Sequence, residues 1–300
     1  MTGALPSPLP RVAVVVASTG RPQSLATMLR HLQRQTLPPA RIVLSVVTPD
    51  DLPPADARPA GVECLNGPRG LPAQRNTALR HLDGDADVVV FFDDDYVPSR
   101  FCVEQIARFF AAHPGVAGAN GHVIADGIGS AGISTEEAER LVEAYDQAPE
   151  HSLAVLRELE GLYGCNMAFR TSATRGIWFD ERLRLYGWQE DIDFAARVAR
   201  NGAIVKTRAF AGVHQGVKGA RTSGLRLGYS QVVNPCYLVR KGTMSARFAR
   251  RLVLRNLLAN HLRAAWPEPW VDRLGRVRGN WVGIADVLRG RLTPERIESL

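Results

Sequence analysis

Three consecutive aspartates, Asp93, Asp94 and Asp95, end the apolar run Val88-Val89-Val90-Phe91-Phe92 with no turn residue between. Adjacent carboxylates repel one another, and at the mouth of an apolar strand their ionised forms need open water or a cation. A hard divalent ion such as Mg2+ or Mn2+ takes oxygen ligands, and Mg2+ is usually held by one or two carboxylates together with the phosphates of a substrate. The triplet therefore points to a metal-bound diphosphate. The competing reading is an acidic turn capping a helix that starts near Pro98, because carboxylates favour helix N-termini. A second acidic pair, Glu190-Asp191, opens a helical pattern through Ile192, Phe194, Ala195 and Val198 that stops at Asn201-Gly202. The helix dipole alone accounts for two acids in a first turn. A carboxylate at the tip of a helix in a cleft also serves as a general base when an acceptor hydroxyl lies within hydrogen-bond reach. His214 is the third chemical element, read by itself either as a packed side chain or as a metal ligand.

These residues need a scaffold, and the first half of the chain alternates strand and helix patterns. Apolar runs at 12–17, 42–47, 62–65, 88–92 and 116–124 read as strands, and helical periodicity covers 22–35, 72–82 and 98–112. In the first helix Leu25, Met28, Leu29 and Leu32 fall on one face. Such alternation predicts an α/β fold, a mainly parallel central sheet with helices on both faces. Ligands of such sheets bind beyond the carboxyl ends of the strands, which is where Ser18, Thr19, Gly20, Arg21 and the aspartate triplet fall. A Gly-rich loop at 125–132, a helix at 135–145, strands at 163–169 and 203–210 and the Glu190 helix make up the next portion.

With 300 residues, 45% of them hydrophobic, the chain can bury a large core. The polar, Pro-rich start and the short first apolar run suggest neither a signal peptide nor a membrane span. Cys64, Cys102, Cys165 and Cys236 have no metal or redox spacing, and we read them as reduced, cytosolic and packed. The net charge of +7 is uneven: from Arg240 onward thirteen Lys and Arg meet five acids, a local +8. Between Phe248 and Leu262 these charges interleave with Leu252, Leu254, Leu257, Leu258 and Leu262. That pattern suits an amphipathic helix, either docked on the body with a solvated basic face or lying on an anionic membrane surface. Nucleic acid is a poorer fit, since no zinc-finger spacing, RNP-like strand or basic zipper accompanies the charge.

The order of the motifs resembles the family 2 glycosyltransferases, which have the nucleotide-sugar-binding GT-A fold, over roughly residues 11–220. The first strand and loop at 12–22 are similar to that family's nucleotide loop. Gly70-Leu71-Pro72-Ala73-Gln74-Arg75-Asn76 is similar to its Gly…Ala-Arg-Asn segment, and Asp93-Asp94-Asp95 to its Asp-X-Asp. Gly164-Cys165-Asn166-Met167-Ala168-Phe169-Arg170 and Phe179-Asp180-Glu181 then precede Trp188-Gln189-Glu190-Asp191, as they do there. The resemblance implies a GT-A domain at 1–220, its nucleotide-binding half at 1–115 and its acceptor-binding half at 116–220, with a basic helical extension at 221–300. It implies inverting transfer from a nucleotide diphosphate sugar to a carbohydrate or lipid-linked acceptor, in polysaccharide or glycolipid synthesis. Asp95, Asp93 and His214 would hold the divalent ion, and Asp93 also the donor. Asp191 would be the base, with Glu190 tuning it or binding acceptor. Ser18, Thr19, Arg21, Asp50, Arg75, Asp94 and Lys218 would contact the donor, Lys218 and Arg221 from a loop that closes over it. The expected place is the cytoplasm, with peripheral contact at the inner membrane face.

Some positions depart from the family pattern. Ser18-Thr19-Gly20 stands where a Tyr-Asn pair is usual, and the second strand runs into Thr48-Pro49-Asp50-Asp51, so either Asp50 or Asp51, or neither, reads the base. Arg75 reads equally as a diphosphate ligand, whose forked donors suit that role, or as a helix-surface residue. Trp188 either packs beneath its loop or stacks on an acceptor ring. A sugar nucleotidyltransferase and a non-catalytic sugar- or membrane-binding module are the alternative functions. No Gly-rich, basic phosphate loop follows the first strand to support the former, and intact Asp93, Asp95 and Asp191 argue against the latter.

Overall fold

In the computed structural model, which describes residues 8–149, 152–218 and 223–300, the chain opens with β1 (Val12–Ser18), α1 (Pro22–Gln33), β2 (Arg41–Val46) and β3 (Val62–Asn66). It continues through α2 (Leu71–Leu82), β4 (Val88–Asp93), β5 (Tyr96–Pro98), α3 (Cys102–Ala112) and β6 (Val116–Asp126). Next come α4 (Thr135–Gln147), β7 (Val155–Glu158), β8 (Asn166–Arg170), the single-turn α5 (Thr171–Thr174), α6 (Glu190–Val198) and β9 (Ala203–His214). Three long helices follow: α7 (Gly224–Lys241), α8 (Ala246–Arg263) and α9 (Arg273–Leu288).

All nine strands join one sheet in the order β3-β2-β1-β4-β8-β6-β9-β5, with β7 on β9. The half that ends at β4 is parallel, as the sequence suggests. Beyond it the sheet is mixed: β8 is antiparallel to both β4 and β6, while β6 and β9 run parallel. The central strands are buried on both faces, so alternate residues feed two cores. Val12, Val14, Val16, Val88, Val90 and Phe92 pack with Leu25, Met28, Leu29 and Leu32 of α1 and with α3. Ala13, Val15, Val89 and Phe91 pack on the other face with Ala78 of α2 and Phe194 and Val198 of α6.

The helix expected from Pro98 starts at Cys102 instead, because residues 96–98 pair with β9, Tyr96 opposite His214. The aspartate triplet is thus a turn between two strands, and the helix-cap reading falls. The strand expected at 163–169 begins at Asn166, and β7, exposed along its whole length, has no counterpart in the sequence pattern.

The C-terminal helices meet the body at a third core, where Leu183 packs with Tyr237, Leu238, Met244, Ala249 and Leu252, and Trp188 and Ile192 lie against them. Within the extension α7 and α9 approach closely: a Cβ on Gly228 would lie 2.1 Å from the Arg276 carbonyl oxygen, and one on Gly279 2.0 Å from that of Leu225. The α8 leucines divide. Leu252 is buried and Leu257 half-buried, whereas Leu254, Leu258 and Leu262 are 51%, 60% and 72% exposed, so the docked-helix reading accounts for only part of the pattern. No helix of the described residues is long and apolar enough to cross a membrane. All four cysteines are free, Cys102 and Cys165 being buried in the core.

Candidate active site

The carboxyl ends of β4 and β9 bring the first group together. One ligand atom each from Asp93, Asp95 and His214 lies within 4.8 Å of the other two. His214 Nε2 is 3.3 Å from Asp95 Oδ1 and 3.8 Å from Asp93 Oδ2. Its Nδ1 faces Asp126 Oδ1 at 2.9 Å and the Tyr163 hydroxyl at 3.0 Å, and that hydroxyl donates to Asp126 Oδ2. Burial opposes charge on His214, but Asp126, Asp95 and Asp93 outweigh it and push the imidazolium pKa up to about 10. Burial likewise opposes ionisation of Asp95, while His214, Arg21 and the Val217 N–H hold its carboxyl below the usual range. Asp95 Oδ1 is buried with no directed hydrogen bond. Two carboxylates and a histidine fit a divalent cation, which would replace the proton on His214 Nε2 and engage the buried Asp95 Oδ1.

The middle aspartate does something else. Asp94 Oδ2 accepts from Ser18 Oγ at 2.6 Å and Asp94 Oδ1 from Arg21 Nη1 at 2.9 Å, so these residues join the triplet to the first loop. Burial holds the Asp94 carboxyl above the usual range despite that company. Thr19 beside them donates to the Ser18 carbonyl. Of the two candidates after β2, Asp51 is the buried one, taking the Gly20 N–H at 2.6 Å and the N–H groups of Val47 and Thr48. Asp50 is exposed, in a groove with Pro22, Gln23, Leu52 and Arg58.

The segment after β9 folds back over the triplet. Val217 N–H donates to Asp95 Oδ2 at 2.8 Å, and the Gln215 carbonyl accepts from Ile133 N. The approach is tight: a Cβ on Gly127 would stand 2.0 Å from the Gln215 carbonyl oxygen, and Gly216 adopts φ +65°. Lys218 Nζ donates to the carbonyls of Gly127 and Ile128, both at 3.0 Å. Arg221 lies outside the described residues.

Arg75 links this group to the second one. Wholly buried on α2, it is no surface residue. It pairs with Glu190 through Nη1, with Asp93 Oδ1 at 3.1 Å and with the Gly164 carbonyl at 3.3 Å through Nη2. The neighbouring Asn76 exchanges hydrogen bonds with the backbone of Phe179, so the motif segments far apart in sequence are one construction in space. Glu190 and Asp191 begin α6 after a strained approach in which Leu185, Gly187 and Gln189 all have positive φ. Burial pushes Glu190 up to about 8 against the pull of Arg75, and its Oε2 has no hydrogen-bond partner. Asp191 accepts from Gly164 N at 2.9 Å and from its own helix at Ile192 N, while burial raises its pKa. It lines a pocket of about 500 Å³ whose wall includes Tyr163, the partner of His214. Trp188 packs against the third core, its carbonyl held by Asn234 Nδ2 at 2.8 Å.

The sequence profile of Glycosyl transferase family 2 matches residues 13–178. The chain belongs to this family. It is a glycosyltransferase with a GT-A type fold, and the nucleotidyltransferase and binding-module readings are set aside. Two solved structures share the fold. TarS 1-349 of S. aureus superposes with a TM-score of 0.54 at 13% identity, over 97% of this chain and 83% of that one. The mannosyltransferase PcManGT of Pyrobaculum calidifontis, in complex with GDP-Man and Mn2+, gives a TM-score of 0.50 at 16% identity, over 97% and 86%. TarS 1-349 is also known in complex with UDP-GlcNAc. No curated protein sequence matches the chain.

Two parts of this glycosyltransferase's site are not singled out in the sequence reading. Asp126 and Tyr163 orient His214, and Gln74, buried on α2, ties the ends of β1 and β2 by donating to the Ser18 and Ser45 carbonyls, both at 2.8 Å. For Asp126 a signal exists: it ends β6, a strand parallel to β9, and so lies at the sheet edge where ligands bind.

Proposed function

We propose that this glycosyltransferase transfers a sugar with inversion from a nucleotide diphosphate sugar to an acceptor hydroxyl, with Asp191 as general base. One observation carries the reading: the buried Arg75 guanidinium holds both Asp93, of the metal-type cluster, and Glu190, beside Asp191. This supports a cation site and a general base held in one frame, as in-line displacement requires.

Asp93, Asp95 and His214 would hold a divalent ion, which when bound supplies positive charge against the departing diphosphate. The fold family's structural relatives in complex with UDP-GlcNAc and with GDP-Man and Mn2+ support a nucleotide sugar donor. Ser18, Thr19, Arg21, Asp50, Asp94 and Lys218 border the donor end; among them Ser18, Arg21 and Asp94 also brace one another. Asp191 takes the proton of the acceptor hydroxyl as that oxygen attacks the anomeric carbon from the face opposite the leaving group. The raised pKa of a buried carboxyl suits a base that must hold a proton part-way through the reaction. Glu190 and Arg75 act as positioning residues, fixing the start of α6 relative to the triplet.

The acceptor is a carbohydrate or lipid-linked glycan, and the C-terminal helices support contact with an anionic membrane. Exposed Leu254, Leu258 and Leu262 recur every four residues along α8, with Arg247, Arg251 and Arg255 at the same spacing beside them.

The test is thermal-shift stabilisation by a panel of nucleoside diphosphates and nucleotide sugars with and without Mn2+. Stabilisation by one base family, dependent on the metal, is expected and names the donor's base. No response to any member of the panel would overturn the donor assignment.

A further inference from the structure

The pocket beside Asp191 holds more positive charge than the fold needs. Arg157 of β7, Lys206 of β9 and Arg251 and Arg255 of α8 all line it, and Asp191 is the sole carboxylate among the described residues that do so. Some arginines elsewhere are ion-paired, Arg41 with Glu63, Arg182 with Glu295 and Arg273 with Glu268, while Arg69, Arg247 and Arg250 stand exposed without such a partner among the described residues; what is particular here is convergence on one pocket. Arg157, Arg251 and Arg255 have no ion pair or hydrogen bond among the described residues. Lys206 is half-buried and donates to the Gly121 carbonyl; burial presses its pKa down, Cys165 opposes this and the neighbouring Arg157 adds to it.

A basic tail with a solvated face does not explain this. Arg157 and Lys206 come from the sheet, about ninety and forty residues before α8 in sequence, and converge with it on one concavity. Like charges gathered in a hollow repel one another unless an anion sits among them. Guanidiniums present forked donors that match phosphate oxygens, and an ammonium adds a point charge.

We propose that this pocket is the acceptor site and that the acceptor carries a phosphate or diphosphate group, gripped by Arg157, Lys206, Arg251 and Arg255 so that a hydroxyl of the attached glycan reaches Asp191. The inference rests on Asp191 marking the acceptor end of the cleft. The group is either the headgroup of a lipid carrier or a soluble phosphate-bearing glycan. Both present the same oxygens.

The experiment is acylation of lysines in the full chain, read by mass spectrometry. The sequence contains only Lys206, Lys218 and Lys241, and Lys241, ion-paired with Asp180 and Asp193, is the internal reference. Inorganic pyrophosphate and a sugar 1-phosphate should each slow labelling of Lys206 several-fold, and the free sugar should not. The double variant Arg251→Ala/Arg255→Ala should lose that protection; both residues are exposed on α8, so the fold is not at stake. Arg157→Ala is the second variant and should weaken protection in the same direction. A polyisoprenyl diphosphate sugar in detergent micelles, set against the sugar 1-phosphate, separates the sources: stronger protection by the lipid form assigns the lipid headgroup, and equal protection assigns the soluble phosphate. Unchanged Lys206 labelling with every phosphate probe, or protection that survives both variants, would overturn the proposal. Protection of Lys206 needs no turnover, so it stands or falls separately from the role of Asp191 as base. Lys218 at the donor end reports binding there independently.

Discussion

The two ends of the cleft handle charge in opposite ways. At the donor end nearly every ionised group is answered by the protein itself: Asp94 by Ser18 and Arg21, Asp95 by the Val217 N–H, Arg75 by Glu190 and Asp93, His214 by Asp126. At the proposed acceptor end the side chains of Arg157, Arg251 and Arg255 have no protein partner among the described residues. A site braced internally keeps its geometry without ligand and lends its field to developing charge without reorganising. Cations left over can take a partner from outside the chain. On the proposed reading the difference separates residues that build the catalytic frame from residues that receive a substrate, and it can be broken by mutation at either end.

The largest effect is expected at the junction of the two. Asp191→Asn keeps one of the two backbone hydrogen bonds, from Gly164 or Ile192, because its amide has a single acceptor oxygen, and it removes the proton acceptor, so transfer should fall on the order of 10³-fold with donor affinity nearly unchanged. Weakened donor binding with an unchanged transfer rate, measured by nucleoside diphosphate release and by titration of donor, would remove Asp191 from the role of base. Arg75→Met comes next. It strips the buried partner from Glu190 and one from Asp93, and should cost roughly 3 kcal/mol of stability in urea unfolding, as broken buried pairs do. Arg157→Ala, at the opposite end, should stay within about 0.5 kcal/mol of the parent. Equal losses in the two variants would erase the contrast between frame and receptor.

Glu190 sharpens the same contrast through pH. Its carboxyl rises from 4.5 in an unfolded chain to about 8 in the fold because it is buried. The native state therefore holds a proton that the unfolded state has lost, and stability declines as pH climbs from about 4.5 to about 8. In Glu190→Gln that decline should flatten, which denaturant midpoints across this window will report. A profile identical to the parent's would mean that Arg75 keeps Glu190 ionised throughout.

How much of this was legible in the sequence depends on the range of the interactions involved. The strands β1 and β4, the α1 stripe and the start of α6 are local patterns of apolar residues and acids, readable within a dozen positions. β5 and β7 exist only by pairing with β9, more than a hundred and about fifty residues away, and nothing in Tyr96–Pro98 or Val155–Glu158 announces a partner. The same holds within the site. Asp93, Asp95, Glu190, Asp191 and His214 could be picked out by type and order. Arg75 could not be read as the buried bridge between them, because its two carboxylates come from β4 and α6. Arg157, Lys206, Arg251 and Arg255 look ordinary one by one, and only the fold makes them neighbours.

The smallest effect concerns the surface next to the receptor end. Leu254, Leu258 and Leu262 form an exposed stripe on α8, the helix that also supplies Arg251 and Arg255 to the pocket. Trp266 and Trp281, 85% and 59% exposed, add aromatic side chains on the loop after it and on α9. If this face meets an anionic bilayer, the pocket mouth is carried to the headgroup layer with its cations ready for a phosphate. Leu258→Ser and Leu262→Ser should each weaken co-sedimentation with anionic vesicles by about 1 kcal/mol, roughly a fivefold loss. Added salt should weaken binding further, since the arginines contribute through charge. Binding to neutral vesicles as strong as to anionic ones would leave the basic side chains without a part in it. A dimer in solution that these serines dissolve would assign the stripe to a second copy of the chain, and the receptor end would then face a protein surface instead of a lipid one.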